Sequence, residues 1–283
     1  MYQYLLIVLV LVSIDYCSSA KTDPVAEFDT AAFSCATVKV NERDEIKKWN
    51  DVKHRKSWSL LASSGKPILV REGNRRPHVK FSGKSRFLLN MSSPVYIDTT
   101  SAGSTLAIVI KNDDQKKSHM IFGGAGRSVN AQIKFDNPRT IRLHPHNAVF
   151  TINDSTDAFH FYIIRSTTNE VKLYQDGTLM GTRQTRSYGK EQGKMHCFGC
   201  WFSKHYLQAR ATYLAFYDHA ISADALSTLH MKLTKISSEA NGIEYRPSSI
   251  QSLSHSSGVS PIAVRPSNRP LDSKTNMKNL APL

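Results

Sequence analysis

Apolar and polar residues alternate over short runs separated by turn formers, a pattern of strands rather than helices. Residues 106–110 (Leu-Ala-Ile-Val-Ile) and 213–217 (Tyr-Leu-Ala-Phe-Tyr) are unbroken apolar runs of strand length and predict inner strands. Residues 159–164 form a β-branched and aromatic run, and Thr167-Thr168-Asn169-Glu170 can turn the chain into a strand at 171–175. Asp176-Gly177 then tolerates the positive φ angles of a tight hairpin turn and leads into 178–180. One helix is predicted over 223–233. Ser222 can cap it, Asp224 sits in its first turn, and Leu226, Leu229 and Leu233 share a face. Glu42-Arg43-Asp44-Glu45 is a polar, helix-compatible stretch. From about Ser237 Ser, Pro and Asn take over, as in Pro247-Ser248-Ser249 and Arg265-Pro266-Ser267-Asn268. The few apolar residues left there cannot offset chain entropy, so 237–283 is expected to be disordered.

The start of the chain changes the picture by setting a compartment. Residues 4–12 are unbroken apolar, shorter than the roughly 20 residues that span a bilayer, and Ser18-Ser19-Ala20 follows as a cleavage site. The expectation is a signal peptide at 1–20 and a secreted, extracellular protein with no membrane span after cleavage. The expected organisation is an N-terminal segment at 21–43, a β domain at 44–236 and the tail at 237–283. Cleavage removes Asp15 and Cys17, so the formal charge of +14 becomes +15 and Cys35, Cys197 and Cys200 are left. In an oxidising compartment, three cysteines predict one disulfide and one leftover thiol, or a partner chain. The favoured pairing is Cys35 with Cys197 or Cys200. Asn90-Met91-Ser92 and Asn153-Asp154-Ser155 are glycosylation acceptors expected on exposed loops.

Taken together, the segments resemble the concanavalin A-like lectin and glucanase superfamily, within it the laminin-G-like, pentraxin-related domains. Residues 66–70 and 77–83 stand where the family opens. The turn Ala102-Gly103-Ser104-Thr105 leads into the strand at 106–110, and Met120-Ile121-Phe122-Gly123-Gly124 follows as a glycine-ended strand. Leu173-Tyr174-Gln175-Asp176-Gly177-Thr178-Leu179-Met180-Gly181 looks like the family hairpin. Leu214-Ala215-Phe216-Tyr217-Asp218-His219-Ala220-Ile221-Ser222 looks like its closing strand before the helix. The resemblance covers about residues 44–233. It implies an all-β fold, a two-sheet antiparallel jelly-roll sandwich with one short C-terminal helix, to which the composition adds the disordered tail. It also implies glycan or protein binding.

Charge supplies the candidate chemistry. Residues 47–86 hold twelve Lys or Arg against Asp51 and Glu72, a net of +10, with Trp49, Trp58, His54 and His78 among them. Lys53, Arg55, Lys56, Arg75 and Arg76, with Arg183 and Arg186 in a second basic group, are the ligand-binding candidates. Arg is suited to bidentate contacts with oxyanions. A retaining glycosidase needs two carboxylates about 5–5.5 Å apart. Neither Glu42-Arg43-Asp44-Glu45, Asp113-Asp114 nor the Asp154/Asp157 pair has that pattern, so no catalytic residue is assigned and no enzyme is expected. His196 and His205 flank the Cys pair, but without a second pair of ligands a zinc site is not expected. Asp98, Asp113, Asp114 and Asp218 are the candidate ligands for calcium, although these form no contiguous loop. Trp201 is read as core packing. The expected function is recognition of carbohydrate, with anionic glycans as natural ligands, and nucleic acid is not an expected partner. The alternative is a structural or adhesion protein binding a protein partner, and a diverged glycanase is a third reading.

Overall fold

The strand runs assemble into two antiparallel sheets in the computed structural model. It describes residues 23–32, 38–52, 58–91, 102–114, 118–124, 132–144, 147–185, 195–200 and 206–245. The strands are β1 (Ala26–Asp29), β2 (Val38–Val40), β3 (Ile46–Asn50), β4 (Trp58–Ser64), β5 (Ile68–Val70) and β6 (His78–Ser82). They continue with β7 (Arg86–Met91), β8 (Ser104–Asn112), β9 (His119–Gly123), β10 (Gln132–Asn137), β11 (Thr140–His144) and β12 (Ala148–Thr151). β13 (His160–Ser166), β14 (Glu170–Gln175), β15 (Thr178–Gln184), β16 (Cys197–Phe198), β17 (Gln208–Tyr217) and the helix α1 (Ala223–Asn241) complete the set. One sheet runs β15-β14-β13-β8-β17-β6-β5, with β1 also paired to β17. The other runs β12-β11-β10-β9-β16-β7-β4-β3-β2. The two-sheet sandwich expected from the sequence is therefore present, and α1 packs on the outer face of the first sheet.

Burial explains why some strands alternate and others do not. β10, β11 and β14 face the core with every second residue, the mark of strands covered on one side. β8 and β17 are buried almost throughout, because the second sheet covers one face and α1 the other. Between the sheets, Phe198 stacks on Phe122 at 4.9 Å and meets Phe81 edge-on at 4.8 Å, and Phe28 meets Trp49 at 5.7 Å. Under α1, Val109, Phe161, Ile163 and Tyr213 meet the helix's own Leu229, Leu233 and Ile236.

The helix runs eight residues beyond the expected 233 and carries the folded chain past Ser237. Ile236 and Ala240 prolong the buried spacing begun by Leu229 and Leu233. Gly242 stops it at φ 74°, with the left-handed cap a glycine permits, and the Ile243 N–H closes on Ser238 O at 2.9 Å. Residues 246–283, the bulk of the expected tail, lie outside the described residues. Glu42-Arg43-Asp44-Glu45 is a turn rather than a helix. The Asn41 side chain accepts the N–H groups of Arg43 and Glu45 at 3.0 and 2.9 Å, and Asp44 sits at φ 55°. The expected turn at 167–170 and hairpin at Asp176-Gly177 (φ 50° and 84°) are in place.

The disulfide differs from the favoured pairing. Cys197 bonds Cys200 across a Cα separation of 6.0 Å, with Gly199 at φ 88° bending the chain between them. Cys35 lies outside the described residues.

Histidines give the fold a pH profile. His78 of β6 lies against Phe159 at 5.6 Å, and His230 of α1 lies near Phe161 and Tyr174 at 5.9 and 5.6 Å. The Nε2 of each is buried without a hydrogen-bond partner, and burial pushes both rings below the ordinary histidine range. Burial also opposes charge on His160, but its ring donates to Asp176 at 2.5 Å and Asp157 at 2.8 Å, which together raise it to about 9. The unfolded chain, near 6.5, therefore takes up protons before His78 and His230 do, so stability falls as pH drops below about 6.5. The His160 contribution is complete below about 6.5 and is lost as pH rises to about 9. Thermal midpoints across pH are expected to fall on both sides of neutrality. His230→Phe should flatten the acid limb and His160→Gln the alkaline limb, and unchanged limbs would refute the assignment.

Candidate functional site

A cleft opens where the β5–β6 connection meets the C-terminal end of α1. Its larger part, about 890 Å³, is lined by Glu72, Asn74, Arg75, Lys235, Glu239 and the segment Gly242, Ile243, Glu244, Tyr245. A smaller part of about 510 Å³ is lined by Thr30, Arg71, Asn74, Arg75, Arg76 and Glu239. Asn74, Arg75 and Glu239 line both, so the two lie side by side.

The helix end positions this wall. The Arg76 N–H donates to Glu239 O at 3.1 Å, which ties the β5–β6 connection to the last turn of α1. A side chain at Gly242 would place its Cβ 2.9 Å from Arg75 Nε, so only glycine lets Arg75 lie against the helix end. Cations there also meet the negative end of the helix dipole. Asn241 fixes the same turn to the sheet, accepting from the Phe159 N–H at 2.8 Å and donating to the Phe159 carbonyl at 3.0 Å.

The two sequence-chosen arginines in the cleft have different roles. Arg76, 8 % exposed, forms ion pairs with Asp29 of β1 and Glu239 of α1. These pairs make it a clamp that joins β1, the β5–β6 connection and α1. Arg75 is 56 % exposed, with Glu72 at 3.8 Å, and Arg71 is 54 % exposed, paired with Asp44 at 2.8 Å. Exposed pairs of this kind are worth about 0–1 kcal/mol and exchange partners readily. Arg71, Lys235, Asn74 and Tyr245 were not singled out in the sequence. The first two are isolated cations among many, and only the fold brings them beside Arg75.

The other candidates are placed as follows. Arg183 lies on β15, not in a loop, with its guanidinium 5.3 Å from the centre of the Phe150 ring. Lys53, Arg55, Lys56 and Arg186 lie outside the described residues, as do Asp98 and Trp201. Asn153 is exposed in the β12–β13 connection, whereas Asn90 is exposed on strand β7, where its side chain donates to Ser59 Oγ at 3.4 Å. Asp113 pairs with Arg210 at 3.1 Å and Asp114 with His119 at 3.2 Å. Asp218, beyond the opposite end of β17, does not join them as a calcium site would require. Among the described residues no group of His, Cys, Asp or Glu is arranged to hold a metal ion. No described helix is long and apolar enough to cross a membrane.

Charge in three dimensions departs from the sequence count. Lys66 is paired with Glu45 at 2.8 Å, Arg71 with Asp44, and Arg76 with Asp29 and Glu239, all acids from outside 47–86. The described residues hold 21 Lys and Arg against 19 Asp and Glu, so most of the excess lies in the other segments. Several of those segments attach at one place. The registers Asn50↔Ser59, Ser59↔Asn90, Leu88↔Cys197, Cys197↔Gly123 and Gly123↔Gln132 put the strand ends bordering 53–57, 92–101, 125–131 and 186–194 at one end of the nine-stranded sheet. At the opposite end of the sandwich, Asp154, Asp157 and Asp176 cluster around Arg139 and His160.

No protein-family model matches the chain, and no curated protein matches it in sequence. Solved structures do. The chain is similar to the botulinum neurotoxin serotype D binding domain at 10% identity and a TM-score of 0.53, over 76% of this chain and 53% of that one. It is similar to Trypanosoma rangeli sialidase in complex with sialic acid at 14% identity and a TM-score of 0.53, over 78% and 34%. A serotype D ligand-binding domain in complex with N-acetylneuraminic acid matches at 11% identity and a TM-score of 0.51, over 75% and 51%. The chain thus spans about half of the toxin domains and a third of the sialidase, and the likeness is one of β-sandwich fold.

Proposed function

We propose that the protein is an extracellular carbohydrate-recognition domain of the concanavalin A-like, laminin-G-like kind, which binds anionic glycans and does not cleave them. The observation that carries this reading is the groove beside the end of α1. It sets exposed Arg71, Arg75 and Lys235 with the amide of Asn74 around two cavities that lie side by side, next to Ile243 and Tyr245. Cations, an amide and an apolar ring are the contacts an acidic sugar needs: charge for its acid group, donors for its hydroxyls, a flat surface for its ring. The sugar ligands named in two of the similar structures support a carbohydrate over a peptide.

A glycan array with the full chain at low and high salt tests the proposal. Acidic glycans should be retained at low salt and at least tenfold less at 1 M, where the screening length falls to about 3 Å. A calcium chelator should leave retention unchanged. Reversing Lys53, Arg55 and Lys56 to Glu should weaken long acidic chains more than short ones. Absence of binding to any acidic glycan at low salt refutes the reading, and glycan turnover would replace it with an enzyme.

A further inference from the structure

Within that groove, we propose that the smaller cavity is a subsite for one carboxylate carried by a sugar ring, which makes the preferred ligand a sugar acid. The inference rests on the carbohydrate reading and narrows it.

Arg71, Arg75 and Arg76 line the 510 Å³ cavity, and the acid that lines it, Glu239, is engaged by Arg76. The cavity is therefore cationic, while the adjoining 890 Å³ part is mixed in charge, with Glu72, Glu239 and Glu244 beside Arg75 and Lys235. Arg76 contributes a second, independent observation. Its side chain is 92% buried, its two terminal nitrogens are taken by Asp29 and Glu239, and its Nε–H is buried with no acceptor. Buried donors are almost always satisfied, and one left unmet beside a cavity marks where an acceptor oxygen belongs.

Geometry and exchange favour a carboxylate. A guanidinium presents two parallel N–H groups to the two oxygens of a carboxylate. The groups now meeting these arginines are all carboxylates: Asp44 on Arg71, Glu72 near Arg75, Asp29 and Glu239 on Arg76. Those on Arg71 and Arg75 are exposed, and Glu72 stands at 3.8 Å, beyond hydrogen-bond reach. An incoming carboxylate replaces them like for like at little cost. The pair on Arg76 stays, and its buried Nε–H reaches the ligand only with a shift of the side chain. Thr30 is not a rival donor, because its hydroxyl already donates to Thr212 O at 2.9 Å. The sugar ring then extends past Asn74 into the larger part, toward Ile243, which is 61% exposed.

The test is a calorimetric and NMR titration of the full chain with four probes: glucuronate, glucose, acetate and inorganic sulfate. Glucuronate should bind saturably and shift the Arg71, Arg75 and Arg76 Nε–H signals. Glucose should bind at least tenfold more weakly, acetate should shift the same signals at higher concentration, and sulfate should compete poorly. Arg71→Gln with Arg75→Gln should weaken glucuronate at least tenfold while leaving the thermal midpoint nearly unchanged, since both side chains are exposed. Lys80→Gln with Lys84→Gln, a matched loss of two charges at exposed residues that do not line the cavity, should leave affinity unchanged. Glucuronate binding that survives the double substitution, or sulfate competing as well as acetate, overturns the subsite. Array binding to acidic glycans that also survives it leaves the carbohydrate reading standing and removes only this inference.

Discussion

Replacing Arg76 by methionine is expected to lower the unfolding free energy by about 3 kcal/mol. The length and apolar stem of the side chain are kept, so the effect isolates the charge. Asp29 and Glu239, 18 % and 33 % exposed, would lose the guanidinium they share. Breaking a buried pair from one side strands the partner, and here it strands two. The loss should be visible as a shift of the denaturant midpoint at constant slope. Adding Glu239→Gln to Arg76→Met should recover part of it, because one stranded charge is gone. A single-variant loss under about 1 kcal/mol would mean that solvent screens the clamp as it screens a surface pair. Arg76 joins β1, the β5–β6 connection and α1, so the groove should loosen with it, and ligand affinity should fall in proportion.

Phe198→Ala should cost about 4 kcal/mol. β16 has two residues, yet it lies between β7 and β9, where Phe198 is opposite Phe87 and Phe122 in register. Its ring is fully buried, stacked on Phe122 and edge-on to Phe81. The surrounding rings belong to several strands and cannot all move inward, so the cavity should persist rather than collapse. Phe198→Leu, which fills most of the space, should cost about 1–2 kcal/mol. If alanine and leucine cost the same, packing around Phe198 is not what holds β16 in the sheet.

Sandwich architecture was legible because each strand carries its own signal. The run at 106–110 and the Asp176-Gly177 hairpin are local statements, and the structure repeats them. The far end of α1 was missed because Thr234, Lys235, Ser237 and Ser238 look like the Ser-rich tail behind them. Ile236, Ala240 and the Asn241-Gly242 stop were the available signals. Candidate residues were less legible, since charge along a chain says nothing about which acids fold against it. Arg75 and Arg76 are neighbours in sequence, yet one is an exposed cation and the other a buried clamp. The difference is made by Asp29 and Glu239, 47 and 163 residues away from Arg76. The disulfide was misread for a related reason: Gly199 lets two nearby cysteines meet, so the span to Cys35 was not needed.

The place of β17 in its sheet also bears on how the chain comes to be folded during synthesis. β17 pairs with β8 on one side and, on the other, with both β6 and β1, the latter matching Ala26 to Phe216. Until residue 217 has left the ribosome, β8, β6 and β1 have no common partner, and the apolar outer face of that sheet waits for α1 as well. Pairings between such distant segments form late and slowly, with strand edges exposed in the meantime. A chain stopped short of Gln208 would be left with its eight-stranded sheet in pieces. The fold is therefore completed only once the chain through α1 has been made.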